Sequence, residues 1–121
     1  MDTPVQYTPV HYTGTERRPR IFRDDLLQGR ISLVTGGSSG IGLGIVRVFA
    51  EFGATVVFLG RREDKLASAR EQLLREVPSA NLETVALDVR HHGAMREAVA
   101  GIVERHGRLD ILVNNAAGNF H

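Results

Sequence analysis

Cysteine is absent from the 121-residue chain. That excludes disulfide scaffolds, cysteine nucleophiles and cysteine-ligated zinc, and it is compatible with a reducing compartment. Lysine occurs once, at Lys65, and tyrosine only at Tyr7 and Tyr12. An excess of either charge is lacking too: 15 Lys and Arg face 14 Asp and Glu, for a formal net charge of +1. A nucleic-acid binder would carry a basic excess on one face, so no nucleic-acid partner is expected. No apolar run approaches the ~20 residues of a membrane span. The first twenty residues contain no apolar core of a secretory signal, and Asp2 and Glu16 argue against a transit peptide. What remains is an ordinary globular composition, 42% hydrophobic and 24% charged. The length suits a single domain of roughly 100–150 residues.

Residues 1–20 differ from the rest. Pro4, Pro9 and Pro19 lie there, with a small basic cluster of Arg17, Arg18 and Arg20 and no apolar periodicity. The stretch reads as an extended arm, either a solvated tail or a docking arm for a partner subunit. From residue 21 onward the pattern is periodic. Apolar, β-branched runs at 30–35, 54–59, 82–87 and 109–113 read as strands. Between them, residues 41–52, 63–77 and 91–106 carry helical spacing. Ile41, Ile45, Val48, Phe49 and Phe52 are the expected buried face of the first helix, which Gly53 stops. Leu66, Ala69, Leu73 and Val77 are that of the second, ended by Pro78. Met95, Val99, Ile102 and Val103 are that of the third. The order β-α-β-α-β-α-β, with right-handed crossovers, predicts a doubly wound parallel α/β sheet with strands buried on both faces.

The first strand runs into Thr35-Gly36-Gly37-Ser38-Ser39-Gly40-Ile41-Gly42 and then a helix. A glycine at the strand end permits a sharp turn, one near the helix start lets a diphosphate approach the backbone, and Gly42 lets the helix sit close to the sheet. The helix N-terminus then presents free N–H groups to phosphate oxygens. A Walker-type loop is excluded because no lysine follows the glycines. His91-His92 does not make a metal site, since neighbouring helical residues diverge by about 100° and neither has a ligand at i+4. A surface pair at a helix start is the better reading.

The spacing T-G-x-x-x-G-x-G resembles the short-chain dehydrogenase/reductase family. Asn114-Asn115-Ala116-Ala117-Gly118, after the fourth strand, resembles that family's N-N-A-G segment with one extra alanine, and Asp88 matches its adenine-contacting aspartate. The resemblance covers residues 21–121 and implies a Rossmann-type sheet of which only the N-terminal half is present. The ending Ala116-Ala117-Gly118-Asn119-Phe120 is similar to peroxisomal-type 2,4-dienoyl-CoA reductases. That similarity implies NADPH-dependent reduction of dienoyl-CoA thioesters in unsaturated fatty-acid degradation. A trans-2-enoyl-CoA reductase, or another short-chain reductase, is the nearest alternative. A non-catalytic NADP-binding module is the alternative of another class.

An NAD enzyme of this fold places Asp or Glu at the end of strand two to hold the ribose hydroxyls. Here that position is Gly60, followed by Arg61 and Arg62. A guanidinium suits phosphate oxygens, so NADP(H) is the expected cofactor. The expected cofactor contacts are Gly36, Gly37, Ser38, Ser39, Gly40, Ile41 and Gly42 in the turn, and Arg61 and Arg62 after strand two. Asp88 and Val89 are expected at the adenine, and Asn115, Ala116, Ala117 and Gly118 near the ribose, whereas Asn114 is expected to bond backbone across neighbouring strands. By the same resemblance, Arg61 and Arg90 are candidates for the phosphates of an acyl-CoA substrate and Phe120 for the acyl-pocket entrance. For Arg90 a solvated turn, and for Phe120 core packing, are the alternatives.

The family's Tyr-x-x-x-Lys pair has no match. Tyr7 and Tyr12 have no lysine four residues on, and Lys65 starts the second helix on the adenosine side. No catalytic residue is therefore expected before His121, and the chain alone is expected to be inactive, an N-terminal fragment of a reductase. Ending at strand four leaves residues 109–113 as an unpaired apolar edge, expected to pair with another copy. The full-length protein is expected to be a cytoplasmic homo-oligomer, with the peroxisome as the alternative compartment.

Overall fold

The computed structural model describes residues 22–115. β-Branched and apolar runs form four strands: β1 (Ile31–Thr35), β2 (Thr55–Gly60), β3 (Asn81–Ala86) and β4 (Ile111–Asn114). The amphipathic stretches between them form α1 (Gly40–Glu51), α2 (Glu63–Glu76) and α3 (His92–His106). All strand pairs are parallel, in the order β3-β2-β1-β4. Chain order reverses between β1 and β4, so the first βα turn opens at the switch point of a doubly wound sheet. Residues 1–20 lie outside the described residues. No helix among the described residues is long and apolar enough to cross a membrane.

Two apolar layers cover the sheet. α1 and α2 enclose Val34, Val56, Phe58 and Leu82 on one face. α3 lies over Ile31, Leu33, Val57 and Leu59 on the other, with Ile102 as its buried contact. Full burial of a side chain such as Phe58 or Leu33 stabilises the fold by about 1.5–3 kcal/mol. The two central strands are buried on both faces, as expected. β3 and β4 are not: their burial alternates, and Leu112 is 59% exposed. Both lie at the edges of the described sheet, where one helix layer does not reach.

The buried face of α1 differs from the expected one. Gly42, Val46 and Ala50 are buried, Ile45 and Phe49 pack at the flanks, and Ile41 and Val48 are 77% and 47% exposed. The cause is the close approach of α1 to the sheet. A stripe of small residues at i, i+4 and i+8 makes the contact, and the larger apolar residues are displaced to its sides. α2 buries Leu66, Ala69 and Leu73 as expected. In α3 only Ile102 is fully buried and Val103 faces solvent.

At the amino end of the sheet Asp110 clamps β4 to β1. Its Oδ2 accepts from the Ile31 N–H at 2.8 Å, and its own N–H donates to the Ile31 carbonyl at 2.8 Å. Arg108 pairs with the same carboxylate at 2.7 Å. The Arg108 hydrogen bond first, then the Ile31 N–H, hold the Asp110 carboxyl below its ordinary value of 3.8. A depressed carboxyl stabilises the fold above its unfolded pKa, and that contribution is lost as pH falls through the folded value. Urea midpoints should therefore fall as pH is lowered below about 4, and Asp110→Asn should shrink that fall. A variant with the full acid sensitivity of the parent would show that the clamp does not titrate.

Candidate functional site

The turn between β1 and α1 lies at the carboxyl edge of the sheet, bonded to the end of β2 and to Asn115 after β4. Gly37 donates its N–H to the Leu59 carbonyl at 3.2 Å, which ties the turn to β2. Ser39, the N-cap of α1, is extended and makes no side-chain capping bond, and no acidic residue lies in the first turn. The other helices are compensated. α2 has Glu63 and Asp64 in its first turn, and α3 is capped by His91, whose Nδ1 accepts from Ala94 N–H at 3.0 Å. The α1 N-terminus thus keeps its free N–H groups and partial positive charge, which suits a diphosphate.

Two glycines shape this cradle. Gly40 has φ +59°, and open space lies where a Cβ would point. At Gly42 a Cβ would overlap the Gly36 carbonyl and lie 2.7 Å from Asn115 Nδ2. Gly42 therefore sets the approach of helix to turn, as its place in the motif predicts. Gly40→Val should abolish dinucleotide binding while leaving the helical circular-dichroism signal largely intact, since it strains a left-handed residue and fills the open side. Near-normal affinity in that variant would move the diphosphate elsewhere.

Thr35 joins the turn to β4. Its side chain is buried, and its Oγ1 accepts from Asn115 N–H at 3.0 Å and lies 3.1 Å from Asn114 Oδ1, to which it donates. Asn115 Nδ2 donates to the Gly36 carbonyl at 3.3 Å. Asn114, expected to bond backbone across neighbouring strands, pairs with Thr35 in the sheet and also accepts from its Oγ1. Asn115, expected beside a ribose, holds the turn. The sequence reading missed Thr35 as a hub; its signal was the leading threonine of the glycine motif. Ile41, expected at the cofactor, faces solvent in the first turn of α1.

At the end of β2 the two arginines part company. Arg62 makes a forked pair with Asp64, at 3.1 Å through Nε and 2.7 Å through Nη2. That hydrogen bond lowers the Asp64 carboxyl below its ordinary value. Arg61 makes no hydrogen bond or ion pair among the described residues and follows Gly60, where β2 passes nearest Ser38. A depression of about 310 Å³ between the turn and α2 is lined by Ser38, Ser39, Leu43, Asp64, Lys65 and Ser68, and Arg61 does not line it. The Leu87 N–H donates to the Gly60 carbonyl at 2.9 Å, which carries the β2–β3 pairing to the doorstep of Asp88. Asp88 is gripped by Arg90: Nη2 to Oδ2 at 2.7 Å, and both Nε and the backbone N–H to Oδ1 at 3.0 Å. The Arg90 side-chain and backbone hydrogen bonds, and more weakly the charge of Arg61, hold the Asp88 carboxyl well below the usual carboxylate range. Val89 beside it is half-buried. Ala116, Ala117, Gly118 and Phe120 lie outside the described residues.

The bare helix terminus and the glycine cradle have the geometry of a dinucleotide site. The family model for short chain dehydrogenases matches residues 30–121. The chain is 40% identical over 101 residues to a peroxisomal 2,4-dienoyl-CoA reductase of Arabidopsis thaliana, covering 82% of this chain and 33% of that protein. It is 38% identical over 100 residues to the peroxisomal 2,4-dienoyl-CoA reductase of Danio rerio, covering 83% and 33%. A metagenomic short-chain oxidoreductase solved in complex with NADP superposes with a TM-score of 0.71 at 36% identity, over 76% of this chain and 41% of that one. The chain spans about a third of the length of these curated relatives and corresponds to the N-terminal part of the solved fold. Motif, topology and family match agree, and the chain belongs to the short chain dehydrogenase family, a family of Rossmann-fold oxidoreductases.

Proposed function

We propose that residues 21–121 form the NADP(H)-binding half of a short-chain reductase acting on 2,4-dienoyl-CoA thioesters, with residues 1–20 as an extended arm. The observation that carries the cofactor assignment is the end of β2. Gly60 and Arg61, the latter without an ion pair among the described residues, stand where a ribose-binding carboxylate would repel a 2′-phosphate. In this reading Gly36, Gly37, Ser38, Ser39, Gly40, Ile41 and Gly42 line the diphosphate, and the first-turn N–H groups of α1 donate to it. Arg61 takes the 2′-phosphate, with Arg62 able to join only by leaving Asp64. Asp88 and Val89 border the adenine. Asn115, with Ala116, Ala117 and Gly118, borders the ribose. The bound nicotinamide supplies a hydride.

The substrate class rests on the names of the relatives and on Arg61 and Arg90, two guanidiniums suited to the phosphates of an acyl-CoA, with Phe120 at the acyl entrance. The full-length protein is proposed to be a homo-oligomer, cytoplasmic or, like the named relatives, peroxisomal. The test follows NADPH absorbance with the full-length protein and three thioesters: 2,4-hexadienoyl-CoA, trans-2-hexenoyl-CoA and 3-oxohexanoyl-CoA. The expected result is oxidation of NADPH fastest with the dienoyl thioester, and faster than with NADH. Preference for either of the other thioesters would replace the substrate assignment, and preference for NADH would overturn the cofactor assignment.

A further inference from the structure

α3 is fastened unequally along its length, and a histidine stands at each end. Ile102, near its C-terminus, is fully buried, whereas the first turn from His92 to Met95 has no fully buried residue. That turn is held instead by His91. The His91 carbonyl accepts from the Met95 N–H at 3.0 Å, and its Nδ1 accepts from the Ala94 N–H at 3.0 Å. A ring nitrogen that accepts carries no proton, so the imidazole is neutral with its hydrogen on Nε2. Protonation puts a hydrogen on Nδ1, removes the acceptor and sets a positive charge against the positive end of the helix. His91 is exposed, so a proton reaches the ring without opening the core. Around it lie Asp88 and Arg90 of the preceding turn, which pair with each other at 2.7 Å, and His92 and Arg96 on α3. Arg61, at the end of β2, acts on Asp88. Among the described residues no hydrogen bond or ion pair from another element reaches the His91 ring.

The other end responds to a proton in the opposite sense. His106 Nε2 lies 2.6 Å from Glu83 Oε1 on β3, and Arg105 donates to Glu83 Oε2 at 2.8 Å. Burial raises the Glu83 carboxyl, but the hydrogen bonds of Arg105 and then His106 outweigh it and hold it below its ordinary value of 4.5. Glu83 therefore stays charged where an imidazole titrates. A protonated His106 gains a charge-assisted bond there and sits at the negative end of the helix. Glu83 is the only titratable side chain on the four strands, and the nearby Arg108 is paired with Asp110 at 2.7 Å. We infer that α3 is released at one end and held at the other by the same proton: below the imidazole range the His91 cap opens and the first turn frays, while the His106–Glu83 pair keeps the last turn on β3. The His91 N–H donates to the Asp88 carbonyl at 2.9 Å, so the released end adjoins the carboxyl edge of the sheet. The cap contributes above the imidazole range and is lost as pH falls through it. Loss of an N-cap sets the size of the effect, about a fivefold gain in local opening.

The experiment is amide hydrogen exchange of the full-length protein, read by mass spectrometry at about pH 8 and about pH 5.5, on either side of the ordinary imidazole value of about 6.5, and corrected for intrinsic exchange at each pH. The expected result is protection of residues 92–96 about fivefold lower at the acid pH, with protection of residues 102–107 undiminished. His91→Asn, whose side-chain oxygen caps a helix without titrating, should leave the first turn equally protected at both pH values. His92→Gln should keep the full acid response, which assigns it to His91 and not to its neighbour. Equal protection of residues 92–96 at both pH values, or an equal loss at both ends of α3, overturns the inference. So does a first-turn loss that survives His91→Asn or vanishes in His92→Gln. None of these outcomes bears on the cofactor or substrate reading, which the inference does not use.

Discussion

Gly42→Ala is expected to cost about 3 kcal/mol or more of stability and to remove dinucleotide binding with it. The added methyl would fall on the Gly36 carbonyl, a backbone atom that cannot rotate aside, and lie 2.7 Å from Asn115 Nδ2. α1 would have to lift from the turn. Lifting it breaks the Asn115–Gly36 hydrogen bond and displaces the first-turn N–H groups proposed to bind the diphosphate. Gly44→Ala in the same helix is the control. Nothing lies within 4 Å of a Cβ there, and the position is exposed. Replacing a mid-helix glycine of this kind should stabilise the protein by about 0.5–1 kcal/mol. Urea unfolding and NADPH titration of both variants check the pair. Equal stability of the two would show that the helix does not sit on the turn.

Arg61→Ala is expected to weaken NADPH binding by about ten- to hundredfold, with little change for NADH. Among the described residues the Arg61 guanidinium makes no ion pair, and its charge reaches Asp88 only at a distance. Arg62→Ala should do much less, because its fork is already committed to Asp64. Asp64→Asn should then make Arg62 available and recover part of the loss when combined with Arg61→Ala. Competition titrations with NADPH and NADH measure all three. Equal losses for the two cofactors would show that Arg61 does not read the 2′-phosphate.

The element order, the three crossover helices and the glycine-rich turn after β1 were legible because each depends on backbone periodicity or on glycine, both visible in one sequence. The face of α1 was not. Five bulky apolar residues outweigh Gly42, Val46 and Ala50 in any count of hydrophobicity, yet close packing against a sheet selects the small ones. The strand ends were legible as places and not as contacts. Asn114 and Asn115 both proved to be committed to Thr35 and the turn, and nothing in their spacing says which side chain turns inward. The pairs Arg62–Asp64 and Arg90–Asp88 are each two residues apart across a bend. Whether such neighbours meet depends on backbone direction at a helix start or turn, which periodicity does not encode. The alternating burial of β3 and β4 follows from their edge positions, a property of the sheet and not of either strand.

Every role proposed at the strand ends depends on where the cofactor sits. A crystal structure of the full-length protein soaked with NADP⁺ tests it most directly. The diphosphate is expected against the N–H groups of Gly40, Ile41 and Gly42, and the 2′-phosphate within hydrogen-bond distance of the Arg61 guanidinium. A diphosphate bound away from the β1–α1 turn, or a 2′-phosphate turned from Arg61 into solvent, would contradict it.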